Sequence, residues 1–416
     1  MLFLGLLLKS MIRHGTLVVV DRNGATHRYG DGADPKVTIR IGDAATARRL
    51  AFNSAVEVGE AYMDGRLLVE DGDIYDFLAL AMSNIGITRG HALQRLGHAV
   101  RALGKRMQQY NPVGRAQRNV AHHYDLTGEL YDLFLDADRQ YSCAYYMSPD
   151  DSLEQAQAQK KRHIAAKLLL RPGQRVLDIG SGWGGLAISL AETADVEVVG
   201  LTLSEEQFKV SNRRAAERGL AGRVRFELKD YRLERERYDR VVSVGMFEHV
   251  GIGHYGEFFR KLHGLLAEDG VALLHTIGRA DGPGVTNPWI RKYIFPGGYS
   301  PALSEVMPAV ERAALYATDI EVLRLHYAET LKAWRRRFNR HRERIRELFD
   351  ERFCRMWEFY LAASEATFRF GGHVNFQIQL ARRVDVVPMT RDYMFEWERA
   401  TPLPRVRGRE GEMAAE

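Results

Sequence analysis

Ten residues, Val176–Gly185 (VLDIGSGWGG), constrain the fold more than any other stretch of the chain. Val176, Leu177 and Ile179 read as a buried strand with Asp178 near its end. Gly180, Gly182, Gly184 and Gly185 then make a tight turn that opens a helix. Glycines at such a turn let the backbone approach a ligand where any Cβ would collide. This order of strand, glycine turn and helix predicts a doubly wound α/β domain that receives an adenosine-type cofactor.

Gly180, Gly182 and Gly185 also satisfy G-x-G-x-x-G, a weak dinucleotide signal by itself. A nicotinamide enzyme carries an acid about 20 residues further on, closing the second strand to hold the ribose. Here that strand, VEVVGLT, ends on Thr202, and the acid lies inside the turn motif as Asp178. The pattern resembles the first motif of S-adenosylmethionine-dependent methyltransferases better than that of a dehydrogenase.

A length of 416 residues suits two domains, and 45% apolar residues are ample for packed cores. The net charge of +5 is too mild for a dedicated nucleic-acid binder and fits a protein that visits an anionic surface. Cys143 and Cys354 are the only cysteines, with no CxxC, so neither a disulfide framework nor a structural zinc is expected, and a reducing cytoplasm is the default. His122 and His123 point apart on a helix or a strand and have no acid or cysteine at ligand spacing, so no metal site is expected. Lys9 and Arg13 interrupt the apolar amino terminus well short of the ~20 residues a membrane span requires. It reads as a packed amphipathic helix, with peripheral membrane contact left open.

Residues 1–84 read as a small α+β module. Two strands flank the Asn23-Gly24 hairpin signal, where both turn positions call for positive φ. VTIRIG (Val37–Gly42) adds a third strand, and helices are expected over Ala44–Leu50, Ala55–Asp64 and Ile74–Met82. Residues 85–118 read as a partly helical linker. From 119 to 400 helices alternate with strands at Arg175–Ile179, Val196–Leu201, Arg223–Leu228, Tyr238–Val244 and Val271–Ile277, the pattern of a parallel sheet covered on both faces. Ser204-Glu205-Glu206 caps the helix Ser204–Arg218. Residues 281–308 read as a loop over the site, 329–361 as one or two long helices, and 401–416 as a disordered tail.

Ligands of doubly wound sheets sit outside the carboxyl ends of the strands. That places Asp230 (LKDY), Glu248 and His249 (MFEHVG), and His275 (LHTIG) at the cofactor's edge, with YSCAYY (Tyr141–Tyr146) and AHHYDL (Ala121–Leu126) able to close over it. HYDL, YSCAYY, VLDIGSGWGG, GLTLSEEQ, MFEHVG, LHTIG, KYIFPGG and HYAETLKAW follow one another in this order. Together they resemble the cyclopropane fatty acid synthase family with its mycolic acid relatives, from about Asn119 to Trp397. The amino-terminal module is similar to that of the phospholipid-acting members.

The resemblance implies S-adenosylmethionine as co-substrate, held by Tyr141, Ser142, Asp178, Gly180, Gly182, Gly184, Thr202, Gln207, Asp230 and Tyr231. It implies that a methylene is added to a cis double bond of a phospholipid acyl chain. Methyl transfer to the alkene leaves a carbocation, and loss of a proton from the new methyl closes the ring. The base is implied to be bound bicarbonate, with Cys143, Glu248, His275, the backbone of Ile277 and Tyr327 around it. Methyl or methylene addition without ring closure is the alternative within the family, and RNA methylation is the alternative outside it. A homodimer, formed through the amino-terminal module, is expected from the phospholipid-acting members, and the protein is expected to be cytoplasmic and peripheral at the inner face of the membrane.

Each residue also has a plainer role open to it. Cys143 can be a small buried apolar residue, Glu248 a helix cap, His275 a satisfied strand-end histidine, and Tyr327 core. The run Arg335–Arg346 carries Leu331, Trp334, Phe338, Ile345 and Leu348 at helical spacing. Its cationic face is either solvated or a surface for anionic phospholipid headgroups, and Arg335, Arg336 and Arg337 are the residues expected to test this.

Overall fold

The computed structural model of the chain describes residues 1–87 and 128–403. Most of the 85–118 linker, the HYDL segment with His122 and His123, and residues 404–416 lie outside them. The described residues form two compact units. One gathers 1–87, Val285–Pro296 and Leu331–His373; the other gathers 128–284, Gly297–Thr330 and 374–403.

The first unit holds a four-stranded sheet in the order β2-β1-β3-β4, with β1 Thr16–Val20, β2 Thr26–Gly30, β3 Lys36–Ile41 and β4 Leu67–Asp71. β1 pairs antiparallel with β2 and parallel with β3, and β4, not read from the sequence, closes the edge antiparallel to β3. At the β1–β2 turn only Gly24 takes positive φ, not both Asn23 and Gly24. The reason is Asp21, whose carboxylate accepts from the amides of Asn23 (2.9 Å) and Ala25 (3.1 Å) and widens the turn beyond a two-residue hairpin. The helix Ala44–Met63 bends at Asn53, which separates the two helices expected there.

Residues 285–296 and 331–373 belong to this unit rather than to the methyltransferase-type domain, which corrects the expected single domain over 119–400. The cause is side-chain chemistry. Trp289 lies flat against Gly59, where a Cβ would come within 2.4 Å of the indole nitrogen. Tyr62 donates to Glu358 (3.0 Å), and Arg335 bridges Asp73 (3.0 Å) and Glu365 (2.9 Å). The expected one or two long helices are three: His326–Arg340, Arg342–Leu348 and Glu351–Phe370.

The second unit is built on a seven-stranded sheet in the order β10-β11-β9-β8-β5-β6-β7. Its strands are β5 Arg175–Ile179, β6 Glu197–Thr202, β7 Val224–Leu228, β8 Tyr238–Val244, β9 Leu266–Arg279, β10 Tyr316–Leu323 and β11 His373–Ala381. β5 pairs parallel with both β6 and β8, β6 with β7, and β8 with β9, as the α/β reading expected. β10 and β11 add an antiparallel pair at one edge. Val176, Leu177, Val198, Val241 and Val242 are all nearly inaccessible, as in strands covered on both faces. The order of connection reverses at β5, so a crevice opens past its carboxyl end, beside β8.

Candidate cofactor and active site

A cavity lies at that switch point. Its walls include Tyr141, Ser142, Asp178, Gly180, Gly182, Thr202, Gln207, Asp230 and Tyr231, nine of the ten residues expected to hold the cofactor. Gly184 is the exception. It adopts φ +82°, and a Cβ there would come within 2.7 Å of the Phe226 ring and 2.8 Å of Ser211 Cβ. It therefore packs the start of the helix Gly185–Ala194 onto the sheet and does not line the cavity. Gly182, at φ +54°, has nothing within 4 Å of where its Cβ would stand.

The residues present fit the amino-acid tail and ribose of S-adenosylmethionine. Asp178 is 1% exposed, and its Oδ2 has no hydrogen-bond partner among the described residues. Burial pushes this carboxyl up to about 7, partly opposed by the nearby Lys160 ammonium. An ammonium group brought into the cavity would satisfy the orphaned oxygen and favour the carboxylate. Thr202 Oγ1 donates to Gln207 Oε1 at 2.8 Å, and Gln207 sits at the start of a helix whose cap, Ser204, accepts its amide at 3.3 Å. Asp230 is less available: Arg232 holds it with Nε (2.9 Å) and Nη2 (2.7 Å) and with its backbone amide (2.9 Å).

The expected catalytic residues lie beyond the cavity wall rather than in it. Glu248 follows Met246 and precedes His249 and Val250, all three of which line the cavity, but Glu248 itself does not. Its Oε1 accepts the Ile277 amide at 2.6 Å, and its Oε2 has no partner among the described residues. Burial pushes the carboxyl up to about 7 against the hydrogen bond from Ile277. Its backbone carbonyl accepts from the Tyr299 amide (2.9 Å), and its side chain, bonded to the Ile277 amide, caps no helix.

His275, expected at the cofactor's edge, faces instead the side chains of the neighbouring strand β11. Nε2 faces the Asn375 amide at 3.3 Å and Nδ1 faces that of Gln377 at 3.2 Å. Burial, helped by Lys160 and Lys167, holds the imidazole down to about 3, so it is neutral. Cys143 is fully buried, its Sγ donates to the Ala144 carbonyl at 3.3 Å, and burial raises the thiol, which stays protonated. Ala144 donates its amide to Thr330 Oγ1 at 3.0 Å, seating this segment on the helix that carries buried Tyr327.

Sequence reasoning missed Lys160. Its ammonium is completely buried, donating to Gln140 Oε1 and Ser142 Oγ at 2.7 Å each. The signal was present: Leu153, Gln157, Lys160, Ile164 and Lys167 recur at helical spacing, which places a lysine on a packed stripe.

The chain has relatives among known proteins. Residues 113–378 match the mycolic acid cyclopropane synthetase family, and residues 5–88 match a domain of unknown function. The cyclopropane-fatty-acyl-phospholipid synthase of Escherichia coli (strain K12) is 37% identical over 347 residues, covering 83% of this chain and 88% of its own. The tuberculostearic acid methyltransferase UfaA1 of Mycobacterium tuberculosis is 34% identical over 381 residues, 88% of this chain and 87% of its own. The solved mycolic acid cyclopropane synthase CmaA1, complexed with SAH and CTAB, superposes with a TM-score of 0.61 at 33% identity, covering 65% of this chain and 99% of that one. With the glycine turn, the switch-point cavity and the buried glutamate behind it in place, the chain belongs to the mycolic acid cyclopropane synthetase family of methyltransferases.

Proposed function

We propose that this enzyme uses S-adenosylmethionine to add a methylene across cis double bonds in the acyl chains of membrane phospholipids. The observation that carries the reading is Glu248. It is a buried carboxyl that titrates near neutrality, has one oxygen unengaged among the described residues, and stands in the same loop as three residues of the cavity wall.

The cofactor supplies an electrophilic methyl group, and the chain's residues orient it and exclude water. Ser142, Asp178, Gly182, Thr202 and Gln207 bind it, and Tyr141 and Tyr231 present aromatic faces on the cavity wall that tolerate a developing cation. Bicarbonate would be held by Glu248 Oε2 next to the Ile277 backbone, with Cys143, His275 and Tyr327 as the further partners the resemblance implies, and would supply the base for ring closure. A carboxyl that is half protonated near neutrality can donate to such an anion instead of repelling it. General-base contributions of this kind are worth about 10²–10⁴-fold in rate.

Contact with an anionic membrane surface is supported by a place other than the arginine run. Arg335 is committed to Asp73 and Glu365, and Arg337 is buried. By contrast Leu2, Phe3, Leu6 and Phe52 are exposed, with the Phe3 and Phe52 rings 5.5 Å apart. The first twenty residues carry Lys9 and Arg13 and no acid. Among the described residues, no helix is long and apolar enough to cross a membrane.

The test is mass spectrometry of acyl chains after incubation with S-adenosylmethionine and vesicles of monounsaturated anionic phospholipid. A gain of one CH₂ unit that resists mild hydrogenation supports the ring, and no gain sinks the reading. A gain of one CH₂ unit that mild hydrogenation still reduces, as a methyl-branched alkene or a methylene-bearing chain formed by loss of a different proton, selects the second reading, methylation without closure, which the 34% identical tuberculostearic acid methyltransferase favours. Phe3→Ser combined with Phe52→Ser should release the protein from these vesicles while preserving cofactor binding.

A further inference from the structure

Lys160 is a buried charge beside the site that the chemistry above does not use. A fully buried ammonium is costly unless its surroundings return the lost hydration. Here burial pushes the group down to about 8, against the carboxylates of Asp136 and Asp138. Asp138 is itself held by Lys161 (2.7 Å) and by Arg214, and Asp136 accepts the Gln140 amide (2.7 Å). Lys160 therefore has neutral partners, Gln140 and Ser142, and both of these line the cofactor cavity.

The direction of the Ser142 bond matters. Ser142 Oγ accepts from Lys160 Nζ, which leaves the serine's own proton to be donated elsewhere. One turn earlier on the same helix, Gln157 Nε2 donates to the carbonyls of Ser142 (3.0 Å) and Gln140 (3.3 Å). The wall segment is thus pinned through both backbone and side chain. The result is a fixed hydroxyl donor on the cavity wall with a buried positive charge directly behind it.

We infer that Lys160 is a positioning residue for the carboxylate of the cofactor's amino-acid tail, acting through the Ser142 hydroxyl. The tail carries one carboxylate and one ammonium; on the cavity wall Arg139, Lys229 and Arg232 are already paired with Asp132, Glu234 and Asp230, which leaves Asp178 and the Lys160-backed Ser142 as sites of opposite sign. Asp178, with its orphaned oxygen, takes the ammonium; Ser142 backed by Lys160 takes the carboxylate. The reverse placement would set an ammonium against a buried ammonium. The charge behind Ser142 thereby fixes which way round the tail lies, and with it where the methyl group points.

This inference rests on the reading of the cavity as the S-adenosylmethionine site, and the experiment separates the two. Binding of S-adenosylhomocysteine and of methylthioadenosine, which lacks the amino-acid tail, is measured by calorimetry on wild type, Lys160→Met and Lys160→Gln. Lys160→Met should weaken S-adenosylhomocysteine by about 10–100-fold, the range for a hydrogen bond to a charged group. It should leave methylthioadenosine within about twofold, since that ligand makes no use of the tail site. Lys160→Gln keeps a donor to Ser142 without the charge, should fall between, and serves where the methionine variant does not fold. Equal weakening of both ligands would make Lys160 a mere brace for the wall, and no weakening of either would also overturn the proposal. Wild-type protein that binds neither ligand would remove the cofactor reading itself, and this inference with it.

Discussion

Glu248 Oε1 accepts the amide of Ile277 at 2.6 Å, a bond that ties the loop after β8 to the end of β9 and leaves Oε2 without a partner among the described residues. One oxygen orients the group, and the other is left unengaged among the described residues. Its burial makes it a source of pH dependence.

Because the folded pKa of Glu248 is raised from 4.5 to about 7, the folded state holds this proton more tightly than the unfolded one. Its contribution is fully present below pH 4.5 and is lost as pH rises through about 7. The shift corresponds to roughly 3 kcal/mol. Glu248→Gln should abolish most turnover and should lose less stability than wild type between pH 5 and pH 8. Urea denaturation at the two pH values checks this; parallel losses in both proteins would mean that Glu248 is ionised throughout.

Asp178 provides a binding counterpart. It is largely protonated in the free protein at pH 6, since burial raises it to about 7, and a bound ammonium requires the carboxylate. S-adenosylhomocysteine binding should therefore release roughly one proton at pH 6 and almost none above pH 8, with affinity falling about tenfold per pH unit below 7. Asp178→Asn should bind more weakly and without this slope. Calorimetry in buffers of different ionisation enthalpy measures the proton directly.

The arginine run makes a third prediction through what the sequence misread. Arg335 is 12% exposed in its side chain and pairs with Asp73 and with Glu365, which is 1% exposed, while its guanidinium lies 4.3 Å from the Tyr75 ring centroid. Breaking such a pair typically costs about 3–5 kcal/mol because the partner is left charged and buried. Arg335→Glu should therefore lower the melting temperature sharply, whereas Arg336→Glu, at an exposed position, should change stability by under about 0.5 kcal/mol. Equal melting temperatures for the two variants would show the bridge to be weak.

The elements that were legible share one property: their residue types match their surroundings. β5, β6, β8 and β9 are apolar runs because parallel strands are buried on both faces, and the glycine turn is dictated by backbone sterics. β11 was missed because Asn375, Gln377 and Gln379 are buried polar residues whose amide nitrogens find partners distant in sequence, such as His275 and the Lys167 carbonyl. Lys160 was passed over, and Arg335 was taken as surface, for the same reason. In 281–308, Pro288 looked like a breaker but stands in the first turn of a helix capped by Asn287, where its missing N–H costs nothing. The cavity wall was readable from motifs, while the charge behind it depends on a helix whose polar face is buried.

Gly182 and Gly184 separate the two uses of one motif. Both adopt positive φ, so alanine strains the backbone at either position, by about 1 kcal/mol or more. At Gly184 the added methyl also collides with Phe226 and Ser211 in the core, and overpacking there costs a further 1–3 kcal/mol or so. At Gly182 it meets no protein atom within 4 Å and stands on the cavity wall. Gly184→Ala should therefore mainly lower the melting temperature, with the affinity of the folded fraction for S-adenosylhomocysteine little changed. Gly182→Ala should melt only a few degrees below wild type, well above Gly184→Ala, and bind S-adenosylhomocysteine at least about tenfold more weakly, because the methyl takes space the ligand needs. The pair is decisive only as a pair: if both variants lose affinity and stability in the same proportion, the turn acts as one rigid unit and the division of labour between its glycines is wrong.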